Sequence, residues 1–160
     1  MSVNVTPAGT RGVRQPRLPG PIMAGLTGVF NAIYRRFGSR MRVAGRSLLL
    51  LTTIGAKTGK ERQSILGWWP EEGATDGSIL IVASVGGSAR HPAWLLNMAR
   101  HPDQVWIERD GRRTRVQPET LLGEERAAVW RIVAAGSAQY AGYQDKTDRE
   151  IPVIRLRPLV

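Results

Sequence analysis

Gly55, Lys57, Thr58, Gly59, Lys60 and Arg62 crowd into eight positions directly after the apolar run Ser47-Leu48-Leu49-Leu50-Leu51. These residue types suit an oxyanion. Glycines let a backbone approach closely, turn amides point at charge, a hydroxyl donates, and cations neutralise. The nucleotide-triphosphate loop G-x-x-x-x-G-K-[ST] is not present. With Gly59-Lys60 as its G-K pair, Ile54 stands at the first glycine and Glu61 at the hydroxyl. No G-x-G-x-x-G follows a strand-like run either, so a dinucleotide fold is not indicated. Taken alone, the stretch serves equally as a phosphate cradle or as a basic hairpin turn with no ligand.

Two further stretches carry chemistry. In "ASVGGSARHPAW", Ser84, Gly86 and Gly87 open a loop that leads through Pro92 into Trp94. Such a loop can cover a flat ligand, with Trp94 as its wall, although a tryptophan at this spacing also serves as ordinary core. In "QYAGYQDKTDREIPV", Tyr140 and Tyr143 lie three apart. Each phenol can donate a proton or a hydrogen bond; packing or an aromatic lid is the plainer use.

The elements that must position these residues follow from periodicity. Ile22, Met23, Leu26, Val29, Phe30, Ile33, Tyr34 and Phe37 recur at three- and four-residue steps, which predicts an amphipathic helix over about 21–37. Such a helix packs on a core and can also rest on an anionic membrane surface. Leu48 to Ile54 reads as a strand buried on both faces, Arg62 to Trp69 as its antiparallel return, and "SILIVAS" as a third strand. A short helix starts at Pro92. "QVWIERDGRRTRVQPE" is a hairpin turning at Asp110-Gly111, a second amphipathic helix runs from about Gly123 to Ala135, and "IPVIRLRP" closes as a strand. Five or six mostly antiparallel strands with short flanking helices predict a mainly β (α+β) fold, a small barrel rather than a doubly wound sheet.

Composition bounds the rest. The 160 residues suit one domain, expected over 21–160, behind a tail at 1–20 whose Gly, Pro and Arg content predicts disorder. With no cysteine, disulfides and thiolate chemistry are excluded, and His91 and His101 are too few for a histidine-built zinc centre, so no metal is expected. The formal charge of +10 favours an anionic partner, and no acidic residue precedes Glu61 while Arg11, Arg14, Arg17, Arg35, Arg36, Arg40, Arg42 and Arg46 accumulate. Aromatics are not interleaved with these cations as a base-stacking platform requires, so no specific nucleic acid is expected. No apolar run reaches the roughly 20 residues of a membrane span, and no charged-then-apolar leader opens the chain. A cytoplasmic protein is expected, with membrane contact limited to the first helix.

Together the stretches G-x-K-T-G-x-x-R, S-x-G-G-x-x-x-x-P-x-W and T-D-R-x-I-P, in that order, resemble the deazaflavin-dependent nitroreductases, the F420-dependent quinone and nitro reductases. The resemblance runs over about residues 22–158. It implies a split β-barrel and coenzyme F420, a phosphate-tailed deazaflavin, as cofactor. It places Ala56, Lys57 and Thr58 at the cofactor's tail, Arg62 on its phosphate, and Gln63, Ser64 and Ile65 along the adjoining wall. Val82, Ala83, Ser84 and Val85 would edge the ring, with Ala93, Trp94 and Asn97 on the short helix beside it. Tyr140 would stand at the reacting face and Tyr143 close by, as the catalytic pair. The implied reaction is hydride transfer from reduced F420 to a small electron-poor acceptor such as a quinone, enone or nitro-compound, by a monomer or a homodimer. Val85 stands where some members carry lysine, Ser137 where some carry tyrosine, and Gly67 where an aromatic occurs, changes that would widen the acceptor pocket. Another ligand in the same groove, FMN, haem or a fatty acid, is the alternative.

Overall fold

The structure, a computed structural model, describes residues 2–16, 19–43 (Ser39 by its backbone) and 45–159. Met1, Arg17 and Leu18 of the expected tail, and Ala44 and Val160 of the expected domain, lie outside the described residues.

The long apolar run forms β2 (Arg46–Ile54), which a two-residue strand β1 (Arg42–Val43) precedes. After a turn the chain returns as β3 (Glu61–Gly67) and a short β4 (Trp69–Pro70), then β5 (Ile79–Val82). Helix α2 (Ala93–Arg100) leads to the hairpin β6 (Val105–Arg109) and β7 (Arg112–Thr120). Asp110 and Gly111 both have positive φ, 50° and 75°, as a two-residue hairpin turn of primed type requires. Helices α3 (Gly123–Gly136) and α4 (Ala138–Lys146) precede the last strand, β8 (Val153–Pro158).

All the pairings are antiparallel, in the order β1-β2-β6-β7-β8-β5-β4, with β3 added on the other side of β2. Strand β7 curls the sheet: Arg112–Arg115 pair with β6, and Val116–Thr120 pair with β8. Among the described residues no ladder joins β3 to β5, so the curled sheet stays open on that side. This is the expected α+β split barrel.

Alternation along β2 explains why its run is uninterrupted. Leu49 and Leu51 point into the barrel with Ile81, Leu95, Met98, Val105 and Ile154, while Leu48 and Leu50 pack outward with Tyr34. A third cluster, Trp69, Leu80, Val82, Leu121, Val133, Ile151 and Val153, lies under α3 and α4.

Three regions differ from expectation. Helix α1 (Gly20–Phe37) forms where predicted, but its buried residues are Asn31 and Tyr34, and Ile22, Met23, Leu26, Val29, Phe30, Ile33 and Phe37 are exposed. It is attached by polar groups: Asn31 Nδ2 donates to Gln63 Oε1 (2.7 Å), and the Tyr34 hydroxyl donates to the Glu108 carbonyl (2.8 Å). Burial, then the Glu108 carboxylate, push that phenol up to about 12, so it stays a donor. Secondly, α4 arises in a segment where apolar periodicity is weak. Thirdly, residues 2–16, expected to be disordered, lie along the barrel, held by backbone and side-chain hydrogen bonds to Thr120, Glu150, Asp148, Ala89 and Gly87. No helix among the described residues is long and apolar enough to cross a membrane.

Candidate functional site

The glycine turn between β2 and β3 closes on itself. Gly55 N donates to the Lys60 carbonyl (2.8 Å), Gly59 N donates to the Gly55 carbonyl (2.8 Å), and Gly59 has φ 66°. A Cβ at Gly55 would stand 2.5 Å from Thr58 Oγ1 and displace that hydroxyl. The turn leaves Lys57, Thr58 and Arg62 exposed, and among the described residues neither Lys57 nor Arg62 enters an ion pair. Asn97, buried on α2, fixes the turn from below: its Oδ1 accepts from Ala56 N (2.9 Å) and its Nδ2 donates to Thr53 Oγ1 (3.1 Å).

Between this turn and the start of α2 lies a cavity of about 330 Å³, lined by Ala56, Lys57, Thr58, Arg62, Ala93 and Asn97 among others. A second, of about 380 Å³, occupies the open side of the barrel between β3 and β5. Ile65, Val82, Ser84, Val85 and the Tyr140 side chain line it, together with Leu48, Leu66 and Pro92. Ser64 and Trp94 line both cavities. The two cavities thus adjoin along one groove side, the first cationic and the second largely apolar, with Ser64 and Trp94 between them.

Tyr140 reaches the second cavity from α4. Its ring meets Trp69 edge-on at 4.7 Å and Tyr143 at 5.3 Å. Burial, then the neighbouring Tyr143, raise its phenol above the ordinary value, against a smaller opposing pull from the Arg46 guanidinium. The hydroxyl therefore stays protonated at neutral pH and is available to donate. Gly67 lies beside it: a Cβ there would be 3.5 Å from the Tyr140 oxygen and 3.3 Å from Arg46 Cβ. Gly67 thus lines the cavity within contact distance of both Tyr140 and Arg46.

Of the residues singled out from sequence, Ala56, Lys57, Thr58, Arg62, Ser64, Ile65, Val82, Ser84, Val85, Ala93, Trp94, Asn97 and Tyr140 line the groove. Three do not. Gln63 turns outward to Asn31, Ala83 is wholly buried with its carbonyl on Arg149, and Tyr143 stands behind Tyr140, bonded by Gln139 Nε2. Sequence reasoning missed the apolar wall Leu48, Leu66 and Pro92, and missed Arg149. That arginine sits inside the quoted T-D-R-x-I-P stretch, so a signal was present without a role.

The site's residues fit a flat, phosphate-tailed ring system. Cations outside any ion pair among the described residues and an exposed hydroxyl suit a phosphate at one end, and apolar walls with a phenol suit a ring at the other.

Comparisons with known proteins agree with that shape. A family model described as F420H(2)-dependent quinone reductase matches residues 27–158. A Mycobacterium tuberculosis protein named F420H(2)-dependent quinone reductase is 40% identical over 135 residues, 79% of this chain and 85% of its own length. A solved structure described as an F420-H2 dependent reductase shares 36% identity and a TM-score of 0.59, covering 69% of this chain and 93% of that one. Another, described as a domain-swapped dimer, shares 31% identity and a TM-score of 0.61, covering 85% and 99%.

Proposed function

The chain belongs to the F420H(2)-dependent quinone reductase family, and from that premise we propose an oxidoreductase whose groove holds reduced coenzyme F420 and admits a quinone. Lys57, Thr58 and Arg62 hold the phosphate, as exposed donors on the turn and at the start of β3 are suited to do. Ser64 and Trp94 bridge phosphate end and ring end. Ile65, Val82, Ser84 and Val85 wall the ring and keep water from its face. Reduced F420 supplies a hydride, which with one proton takes a quinone to its quinol. Tyr140, protonated and exposed to the cavity, orients the acceptor's oxygen and donates that proton. Tyr143 packs against Tyr140 and sets its ring angle.

The observation that carries this reading is the pair of adjoining cavities, one lined by Lys57 and Arg62 and the other by Tyr140, with Ser64 and Trp94 lining both. Anaerobic mixing of the protein with reduced F420 and a naphthoquinone tests it. The reading expects catalytic return of oxidised F420 absorbance. Turnover no faster than the protein-free mixture would overturn it.

The partner reading extends to a second copy of the chain. The apolar residues of α1 face outward although the helix is tied to the barrel by Asn31 and Tyr34, as suits a helix that another copy covers. A similar solved chain described as a domain-swapped dimer supports a homodimer over a monomer. Sedimentation of wild type beside Phe30→Glu separates the two: a dimer that the variant splits supports it, and a monomeric wild type refutes it.

A further inference from the structure

Three successive residues of the loop after β5 have positive φ: Val85 at 44°, Gly86 at 60° and Gly87 at 83°. Glycine adopts this region freely, whereas a β-branched valine there is strained. Such a loop relaxes unless its surroundings over-determine it, and here they do so from two sides.

From inside, Arg149 is 2% exposed. Its Nη2 donates to the carbonyls of Ala83 and Ser84 (2.9 Å each) and its Nε to that of Ser88 (2.7 Å). No carboxylate pairs with it among the described residues; the neighbouring Asp148 instead accepts from the amides of Thr10 and Arg11 (2.9 Å each). A buried cation satisfied by these carbonyls and, at Nη1, by the His91 ring (3.4 Å) holds them firmly, because losing any one leaves charge poorly solvated. From outside, the N-terminal segment bonds to the same loop. Gly9 N donates to the Ala89 carbonyl (2.8 Å), Val13 N to that of Gly87 (3.0 Å), and Gln15 Nε2 to that of Val85 (3.0 Å). The approach depends on Gly12, where a Cβ would collide with Ala89 N and stand 2.7 Å from Ser88 C and 2.8 Å from the Gly87 oxygen.

We propose that Arg149 and residues 9–15 form a two-sided clamp that holds Val85–Gly87 in its left-handed conformation and so sets the loop wall of the groove, with Arg149 as a positioning residue. Ser84 and Val85 line the 380 Å³ cavity, and Val85 also lines an outer cleft under the N-terminal segment. Movement of this loop therefore reshapes the ring end directly. The consequence for cofactor binding rests on the function proposed above; the clamp itself does not.

The test uses full-length protein: wild type, Arg149→Lys and Gly12→Val, each with and without Val85→Gly. Lysine cannot serve several carbonyls with one planar fork, and Gly12→Val displaces the outer segment without removing it. Without cofactor, amide hydrogen exchange at Gly87 and Ser88, whose N–H groups bond Ser84 and Val85, is expected to quicken about tenfold in both clamp variants while Leu49–Leu51 amides hold steady. The F420 dissociation constant is expected to rise about tenfold in parallel. Adding Val85→Gly removes the strain and is expected to restore most of both. Should Arg149→Lys not fold, Gly12→Val carries the test through its own exchange and its own rescue. Wild-type exchange at Gly87 and Ser88 in folded variants, or no recovery with Val85→Gly, overturns the clamp. If wild type binds no F420, the cofactor reading fails while the exchange result still decides the clamp.

Discussion

The turn at Gly55–Lys60 and the loop at Ser84–His91 both leave a buried strand, both carry two glycines, and both face the start of α2. They are held in opposite ways. The first closes mostly through its own backbone bonds, and Lys57 is left exposed and outside any ion pair among the described residues. The second is held by residues far away in sequence: Arg149, Gly9, Val13 and Gln15. A turn closed largely through its own backbone, and steadied from α2 by Asn97, leaves its cationic side chain facing outward for a ligand. A strained loop is a shape more than a donor, and it depends on everything packed against it.

If that division is right, damage to the first region should cost binding without stability. Lys57→Ala/Arg62→Ala removes two charge-assisted hydrogen bonds of about 1.5–3 kcal/mol each, so F420 binding should weaken at least about a hundredfold. Neither cation has an ion pair to lose, so thermal melting should not move. A melting point that falls with affinity would erase the contrast.

Tyr140→Phe sharpens the comparison at the groove's other end. Removing the proton donor should lower kcat by about a hundredfold while the cofactor's dissociation constant stays unchanged. Because burial holds the phenol above its ordinary value, wild-type turnover should not lose this donor until well into alkaline pH. An equal fall in cofactor affinity would make Tyr140 a wall residue instead.

Asn97 belongs to both descriptions, because its buried amide ties Ala56 and Thr53 together. Asn97→Ala leaves buried groups unsatisfied, so it should destabilise by about 1–3 kcal/mol and weaken binding about tenfold through the turn. Denaturant unfolding beside cofactor titration separates those effects. Binding unchanged in the folded variant would show that the turn needs no such support.

The smallest effect concerns His91. Its Nε2 lies 2.6 Å from the Thr6 carbonyl and its Nδ1 lies 3.4 Å from Arg149 Nη1, an arrangement that suits a neutral ring with the proton on Nε2. Burial first, then the Arg149 charge, lower its pKa below the ordinary 6.5, against opposing bonds to the Thr6 and Pro7 backbone. The folded form then binds the proton more weakly than the unfolded chain does. Its contribution is complete above about pH 6.5 and fades as pH falls through the lowered value. The stability difference between wild type and His91→Gln should therefore shrink between about pH 7 and pH 5. A difference that grows on acidification would reverse the assigned sign.

Legibility followed the same division. Strands and helices with strong periods stood where expected, and Asp110-Gly111 identified its own turn, because those signals lie within a few residues of the structure they cause. That Lys57, Thr58 and Arg62 lie exposed together was readable for the same reason. Gln63 misled because alternation on β3 depends on what faces it, and Asn31 of α1 could not be paired with it from sequence. The positive φ of Val85 contradicts its residue type, and the contacts that bear on the loop come from distant residues such as Arg149, Val13 and Gln15. The N-terminal residues carry no apolar period, and their order comes from single polar bonds such as Thr10 and Arg11 on Asp148. That carboxylate is drawn down to about 2, first by Thr10 and then by the Arg11 amide. Residues 17 and 18 interrupt the described chain between this segment and α1.

Fluorescence titration of the wild-type protein with F420 and with FMN, side by side, tests the central claim most directly. A groove with a phosphate end and an apolar ring end, in a chain of this family, predicts saturable binding of F420 and none of FMN. Equal binding of FMN, or binding of neither, would contradict it.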